Sequence, residues 1–326
     1  MMQTSSALAQ EPSAVALGGA GLGPALKRAL LATRPKFFTA SVLPVLVGTA
    51  WAAAQNIFDG RLFAFALLAT VLAHAATNVY NDVSDDLNGT DPANDARIFP
   101  YTGGSRFIQN GVLSRSQMLR LALAFAALAI GVGVALIALR GSGVLLLGVL
   151  GLALGYLYSM PGVQLSGRGI GELACAIGLG ALPVMGAAWL QTGSIDPGAG
   201  LLSIIVSVWV GLILLINEVP DTVADAGAGK RTLAVRLGAS GTRILYQLLT
   251  LCALAAAIAL IVRHDLPRWS LMPALLLAAG GLAAARGISL EPQRRAGLKQ
   301  GIELTLAIHA FGCVALIVAI LARRFV

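Results

Sequence analysis

Nine apolar runs, each about 17 to 21 residues long, occupy most of this chain, and few architectures can absorb them. They fall approximately at 37–55, 62–81, 119–139, 143–159, 170–190, 199–217, 242–262, 269–286 and 302–322. Helices of this length cross a hydrocarbon core of about 30 Å while satisfying every backbone polar group within the segment. Charged residues make up 12% of the chain, against about 25% in soluble domains, and mean hydropathy is +0.81. A soluble fold is excluded. The expectation is all-α: a polytopic membrane protein of about nine transmembrane helices around a central polar chamber. It forms one domain over 27–326, behind a disordered tail over 1–26 that is rich in Ala, Gly and Ser. Cys175, Cys252 and Cys313 each lie in an apolar run and read as small buried residues, not as metal ligands or a disulfide framework.

A net charge of +8 raises the question of nucleic acid, and the distribution of the charge answers it. Of 23 Lys and Arg residues, 17 fall on one side when loops are numbered by parity, including Lys27, Arg28, Arg34 and Lys36 ahead of the first span. That bias is the signature of membrane orientation. The partner is a lipid bilayer, with no nucleic acid. The N-terminus and the loops after spans two and six are expected on the cytoplasmic side of a bacterial-type inner membrane, and the C-terminus outside.

Acids are as unevenly placed as bases. The stretch NVYNDVSDDLNGTD closes span two, and on a continuing helix Asn78, Asp82, Asp85 and Asp86 share one sector. A second stretch, NEVPDTVAD, closes span six with Asn217, Asp221 and Asp225 spaced by four. Carboxylates this close repel one another, and hard oxygen donors in such clusters suit magnesium held together with substrate phosphates. Two such clusters on two membrane helices suggest one chamber with two walls.

The loops that follow are cationic and rich in glycine. Between Asn94 and Gln117, Gly103, Gly104 and Gly111 interleave with Arg97, Arg106 and Arg115, a combination that brings backbone donors and positive charge to a phosphate. Beyond the second cluster, AGAGKRTLAVRLG resembles a P-loop only superficially, since Ala224 stands where the first glycine belongs and Arg231 follows Lys230. Lys230 and Arg231 remain suited to a diphosphate as point charge and fork. At the end of span four, Tyr156, Tyr158 and Ser159 present polar tips; Tyr156 reads as an interfacial anchor, while Tyr158 and Ser159 join the candidate site. Glu172, at the start of span five, and His74 and Glu303, within spans, read first as structural residues.

Taken together these stretches resemble the UbiA superfamily of intramembrane prenyltransferases. Within it they are most similar to the 1,4-dihydroxy-2-naphthoate prenyltransferase branch, through RPKFFTASVLPVLVG (34–48), NDVSDDLNGTD (81–91), YTGGSRFIQNG (101–111), YSMPGVQLSGRGIGEL (158–173) and GKRTLAVRLG (229–238). Val83 and Ser84 depart from that branch where an aromatic often stands, as do Glu218 and Pro220 before Asp221.

The resemblance implies Mg2+-dependent transfer of a polyprenyl group from a polyprenyl diphosphate to an aromatic quinone precursor. In it Asp82, Asp85, Asp221 and Asp225 hold the metal, with Asn78 and Asn217 assisting. Arg97, Lys230 and Arg231 neutralise the departing diphosphate, joined by Arg106; Tyr158 shields an allylic cation, and Arg34 orients the acceptor's carboxylate. Two other readings stay open at this point: another acceptor, such as 4-hydroxybenzoate or homogentisate, and a cation-coupled transporter.

Overall fold

The computed structural model describes residues 11–323, and among these it contains only helices and loops. Eight helical segments are long and apolar enough to cross a membrane, and the 16-residue helix α5 (Val144–Ser159) supplies a shorter ninth. In chain order the others are α2 (Thr39–Ala54), α3 (Gly60–Leu87), α4 (Arg115–Arg140), a composite of α6 (Gly171–Cys175) and α7 (Leu182–Thr192), α8 (Pro197–Asn217), α10 (Leu233–Val262), α11 (Leu271–Arg286) and α12 (Arg295–Ala322). A π-helical stretch, Ala176–Ala181, joins α6 to α7. Each expected span has a helix in its place.

Local chemistry sets the boundaries. Asp59 accepts hydrogen bonds from the Arg61 and Leu62 amides and opens α3; Asp196 does the same for Gly198 and Ala199, with Pro197 as the first residue of α8. Ser114 and Gln117 form a reciprocal capping box at the start of α4. The division between spans three and four rests on Gly141, whose φ of +93° only glycine adopts readily. Apolar periodicity could not see how far the helices continue past their hydrophobic parts. α3 runs to Leu87 instead of ending near residue 81, so its acids ride on the membrane helix itself. α10 begins at Leu233, well before residue 242, and kinks at Gly238.

The expected tail over 1–26 falls only partly within the described residues. Residues 1–10 lie outside the described residues, as does Arg324. Among those described, α1 spans Leu22–Ala32, and Glu11 is bonded to Arg97 and Asn110. Acidic Glu11 had a basic loop to meet, a tertiary contact that composition does not reveal.

The core sits where α2, α7, α8, α10 and α12 pack together, around Trp51, Val184, Leu202, Trp209 and Leu260. Small residues permit the close approach, as expected where lipid offers apolar contacts as good as those of protein. A Cβ on Gly48 would collide with the Val184 carbonyl, and one on Gly312 with the Trp209 ring. Beside this core α2, α3, α4, α5, the α6–α7 composite and α8 enclose a chamber of about 620 Å³.

Candidate active site

The chamber is apolar through most of its depth, where Ala66, Leu136, Val144, Leu147 and Leu190 line it, and acidic at one end. The acidic end is built from four segments: the last turns of α3, the loop 90–104, the α8 terminus with the short helix α9 (Thr222–Gly227), and Lys230. Asn78, Asp85, Asn217, Asp221 and Asp225 all face it, so the two acid clusters, far apart in sequence, form facing walls of one chamber.

Lys230 joins the walls. Its Nζ donates to Asp85 Oδ1 at 2.6 Å and lies 3.5 Å from Asp225 Oδ1. Burial opposes the charge on Lys230, yet the two carboxylates hold its ammonium well above the usual lysine range. On the first wall Asn81 and Asn88 also donate to Asp85, at 3.2 Å each. Asp82 is the most withdrawn of the four aspartates: it accepts from the Ser105 amide at 3.2 Å and stands 3.7 Å from Arg34. On the second wall Asp221 accepts from Asn94 Nδ2 at 2.8 Å. Burial raises the Asp221 carboxyl to about 6 despite donors from Asn94, Thr102 and the Gly103 amide. Burial likewise raises Asp225 to about 7, opposed by Lys230 and reinforced by Asp221 and Asp85.

Other expected site residues are placed less uniformly. Asp86 leaves the shared sector and bonds Gln109 and Arg115 instead, because one residue past Asp85 is a rotation of about 100° around the helix. Arg97 turns away from the chamber toward Glu11, with a 2.7 Å ion pair, and toward the Asn94 carbonyl. Arg106 is buried with its Nη1 on the Asp91 carbonyl at 2.5 Å, bracing the loop. Arg231 is exposed, and its backbone, not its side chain, engages Gly167. Arg34 lies against Asn78, Asn81 and Asp82. Tyr158 lines the chamber, whereas Ser159 is buried outside it, receiving Asn81 on its hydroxyl and Ser84 on its carbonyl. His74 bonds Ser41 at 2.8 Å and packs edge-on to Phe38. Asn78 also donates to the Thr33 carbonyl, tying α3 to the end of α1.

Several participants escaped the reading of the sequence. Asn94, Thr102 and Ser105 supply donors to the acids, and Gly104 permits their approach: at φ +74°, its Cβ would stand 2.5 Å from Asp91 Oδ2 and 3.1 Å from Asp82 Oδ1. Glu172 and Glu218 lie buried side by side behind the second wall, and burial, then Glu172, pushes the Glu218 carboxyl well above its usual range. Only the glycine pair at Gly103 and Gly104 signalled in the sequence that backbone approaches something closely here.

The donor set suits a hard divalent cation. Buried oxygens of Asp82, Asp91, Asn94, Asn217 and Glu218 have no hydrogen-bond partner, a costly state in a low-dielectric site unless a cation or ligand completes it. Among the described residues no three carboxylates converge on one point, since the Lys230 ammonium stands between the walls. Magnesium held by one or two carboxylates and a substrate's phosphates needs no such protein cage.

Comparison with known proteins accords with this geometry. The UbiA prenyltransferase family model matches residues 41–321. The chain is 33% identical to the 1,4-dihydroxy-2-naphthoate octaprenyltransferase of Bacillus subtilis, over 70% of each protein. It is 30% identical to the enzyme of the same name from Mycobacterium tuberculosis, over 78% of this chain and 85% of that one. A UbiA homolog from Archaeoglobus fulgidus, solved bound to DMAPP and Mg2+, superposes with a TM-score of 0.63 at 15% identity, covering 88% of this chain and 98% of that chain. With its apolar helices and paired acid walls, this chain is a membrane-embedded enzyme belonging to the UbiA prenyltransferase family.

Proposed function

We propose that the enzyme transfers a polyprenyl group from a polyprenyl diphosphate to 1,4-dihydroxy-2-naphthoate, with Asp82, Asp85, Asp221 and Asp225 holding Mg2+ against the diphosphate. The observation that carries this reading is Lys230 bridging Asp85 and Asp225 at the acidic end of an otherwise apolar chamber. A molecule with a diphosphate head and a long hydrocarbon tail matches that polarity along its whole length. The relatives from B. subtilis and M. tuberculosis support the choice of acceptor.

Bound magnesium would offset the charge that collects on the diphosphate as the allylic carbon–oxygen bond lengthens. The protein's own part is positional. Asn81 and Asn88 fix the Asp85 carboxylate, and Asn94 fixes Asp221, so the ligands meet the head group already oriented. Lys230 has the charge and reach to pair with the leaving diphosphate, and Arg34 and Arg106 add positive charge. The apolar depth keeps water from the allylic carbon, and Tyr158 offers its ring face to positive charge there. The acceptor ring then bonds to that carbon and releases its carboxylate as carbon dioxide, which restores the aromatic ring while the diphosphate departs. The basic bias of the loops supports a topology with this end of the molecule and the N-terminus on the cytoplasmic side of an inner membrane and the C-terminus opposite.

Purified enzyme supplied with Mg2+, a polyprenyl diphosphate and a panel of 1,4-dihydroxy-2-naphthoate, 4-hydroxybenzoate and homogentisate is expected to prenylate the first, read by mass spectrometry. Prenylation of another member alone would reassign the acceptor. Flux of a solute across proteoliposomes with no product would replace the reaction with transport.

A further inference from the structure

We propose that Lys36, caged by Phe37, Phe99 and Tyr101 at the chamber rim, is the subsite that captures the carboxylate of the aromatic acceptor. The inference deepens the proposed reaction and rests on it. Lys36 Nζ lies 4.3 Å from the centroid of the Tyr101 ring, 5.5 Å from that of Phe37 and 5.9 Å from that of Phe99. Phe37 and Tyr101 also line the chamber, so the cage and the chamber share two walls.

Charge pairing separates this lysine from the cations around it. Arg34 stands by Asp82, Lys230 by Asp85 and Asp225, Arg97 by Glu11, and Arg115 by Asp86. Among the described residues Lys36 has no acidic partner. Glu303, which reaches the same rim, is taken by the Tyr101 hydroxyl at 3.1 Å and by Lys299 at 3.7 Å. The rings attract the ammonium through their faces, which lets it rest there without a counter-ion. They carry no net charge, so they leave the nitrogen without an ionic partner until an anion arrives.

The shape of the cage selects which anion. A diphosphate is compact, strongly hydrated and drawn to the metal-type acids and Lys230. Flat apolar walls beside a single ammonium fit an aromatic ring bearing one carboxylate. The cage is also tied to the reaction centre by its own backbone. Tyr101 begins the run whose Thr102, Gly103 and Gly104 line the chamber and whose Ser105 amide holds Asp82, and Arg34 lies two residues before Lys36. An acid seated on Lys36 therefore meets the Phe37 and Tyr101 rings, which also line the chamber. Arg34, the acceptor's anchor suggested by the sequence, is engaged with Asn78, Asn81 and Asp82 instead.

The test uses the full chain in nanodiscs of zwitterionic lipid and two probes, 1-hydroxy-2-naphthoate and uncharged 1-naphthol, with binding read by intrinsic fluorescence. The wild type is expected to bind the acid about tenfold more tightly than the naphthol, as one charge-assisted contact gives. Lys36→Met should abolish that preference by weakening the acid alone, Lys36→Arg should keep it, and Tyr101→Leu should weaken both probes. A preference that survives Lys36→Met, or an equal loss of both probes in that variant, would overturn the subsite. The same holds if anionic lipid erases the wild-type preference, since Lys36 would then serve head groups. A parallel prenylation assay separates the two claims. Turnover of 1,4-dihydroxy-2-naphthoate with a preference indifferent to Lys36 removes the subsite and keeps the reaction. A Lys36-dependent preference without turnover removes the reaction.

Discussion

The two acid walls contain the same residue types at similar spacing, yet they are stabilised differently. On the α3 wall both aspartates have a cation: Asp82 has Arg34 and Asp85 has Lys230. On the wall at the end of α8, Asp221 relies on neutral donors, and Asp225 has only the far side of Lys230, at 3.5 Å. Burial raises the carboxyls of the second wall to about 6 and about 7, against the pull of these donors and of Lys230. The first wall draws on two protein cations; the second relies on neutral donors and one shared ammonium. The difference makes the second wall the more responsive to metal and pH, and Lys230 the element that couples it to the first.

The largest effect is expected from breaking either wall. Asp85→Ala and Asp225→Ala should each lower kcat by about 10²–10³, the scale of losing one preorganised charge contact, measured as prenylated product per unit time. Full turnover in one variant would mean that a single wall suffices. Lys230→Met comes next. Removing one partner of a buried pair costs about 3–5 kcal/mol, so thermal unfolding of the metal-free variant should move well below that of the wild type. Because Mg2+ can take over the lysine's place between Asp85 and Asp225, adding it should recover more stability in Lys230→Met than in the wild type. Equal recovery would show that the ammonium and the metal do not share a position.

A smaller effect is expected from pH. The folded Asp221 and Asp225 hold protons that the unfolded chain has already released between about pH 4 and about pH 7. Stability of the metal-free protein should therefore be greatest at the acidic end of that window and decline as pH rises through it. Saturating Mg2+ favours the ionised carboxylates and should flatten the decline. A metal-free protein equally stable at pH 5 and pH 8 would place these groups in a wetter site than the structure does. The smallest effect belongs to Asp86→Asn, which should change turnover by less than about twofold, since its surface-facing partner contributes little. A loss comparable to that of Asp85→Ala would return Asp86 to the site.

These contrasts also mark how far the chain could be read from its residues. Spans and acid clusters were legible because each is a local pattern: apolar length for the helices, period-four oxygens for the walls. Asp86 shares that pattern but not its fate, because Arg115 and Gln109 lie across a loop whose path no periodicity encodes. Arg97 turns from the chamber for the same reason, its partner Glu11 lying 86 positions away. The roles of Asn94 and Ser105 depend on that loop folding back over both walls, and Lys36 reads in sequence as one of several topology-setting cations. What the sequence could not reveal was therefore mostly pairing: which charges meet each other and which stay available.

The central claim is that both walls act on one diphosphate, and it is tested most directly by equilibrium binding of a polyprenyl diphosphate to the wild type, Asp85→Asn and Asp225→Asn, each with Mg2+ and with EDTA. The expected result is tight binding only in the wild type with Mg2+, weakened at least about tenfold by EDTA or by either substitution. Binding that ignores the metal, or that survives loss of one wall unchanged, would contradict it.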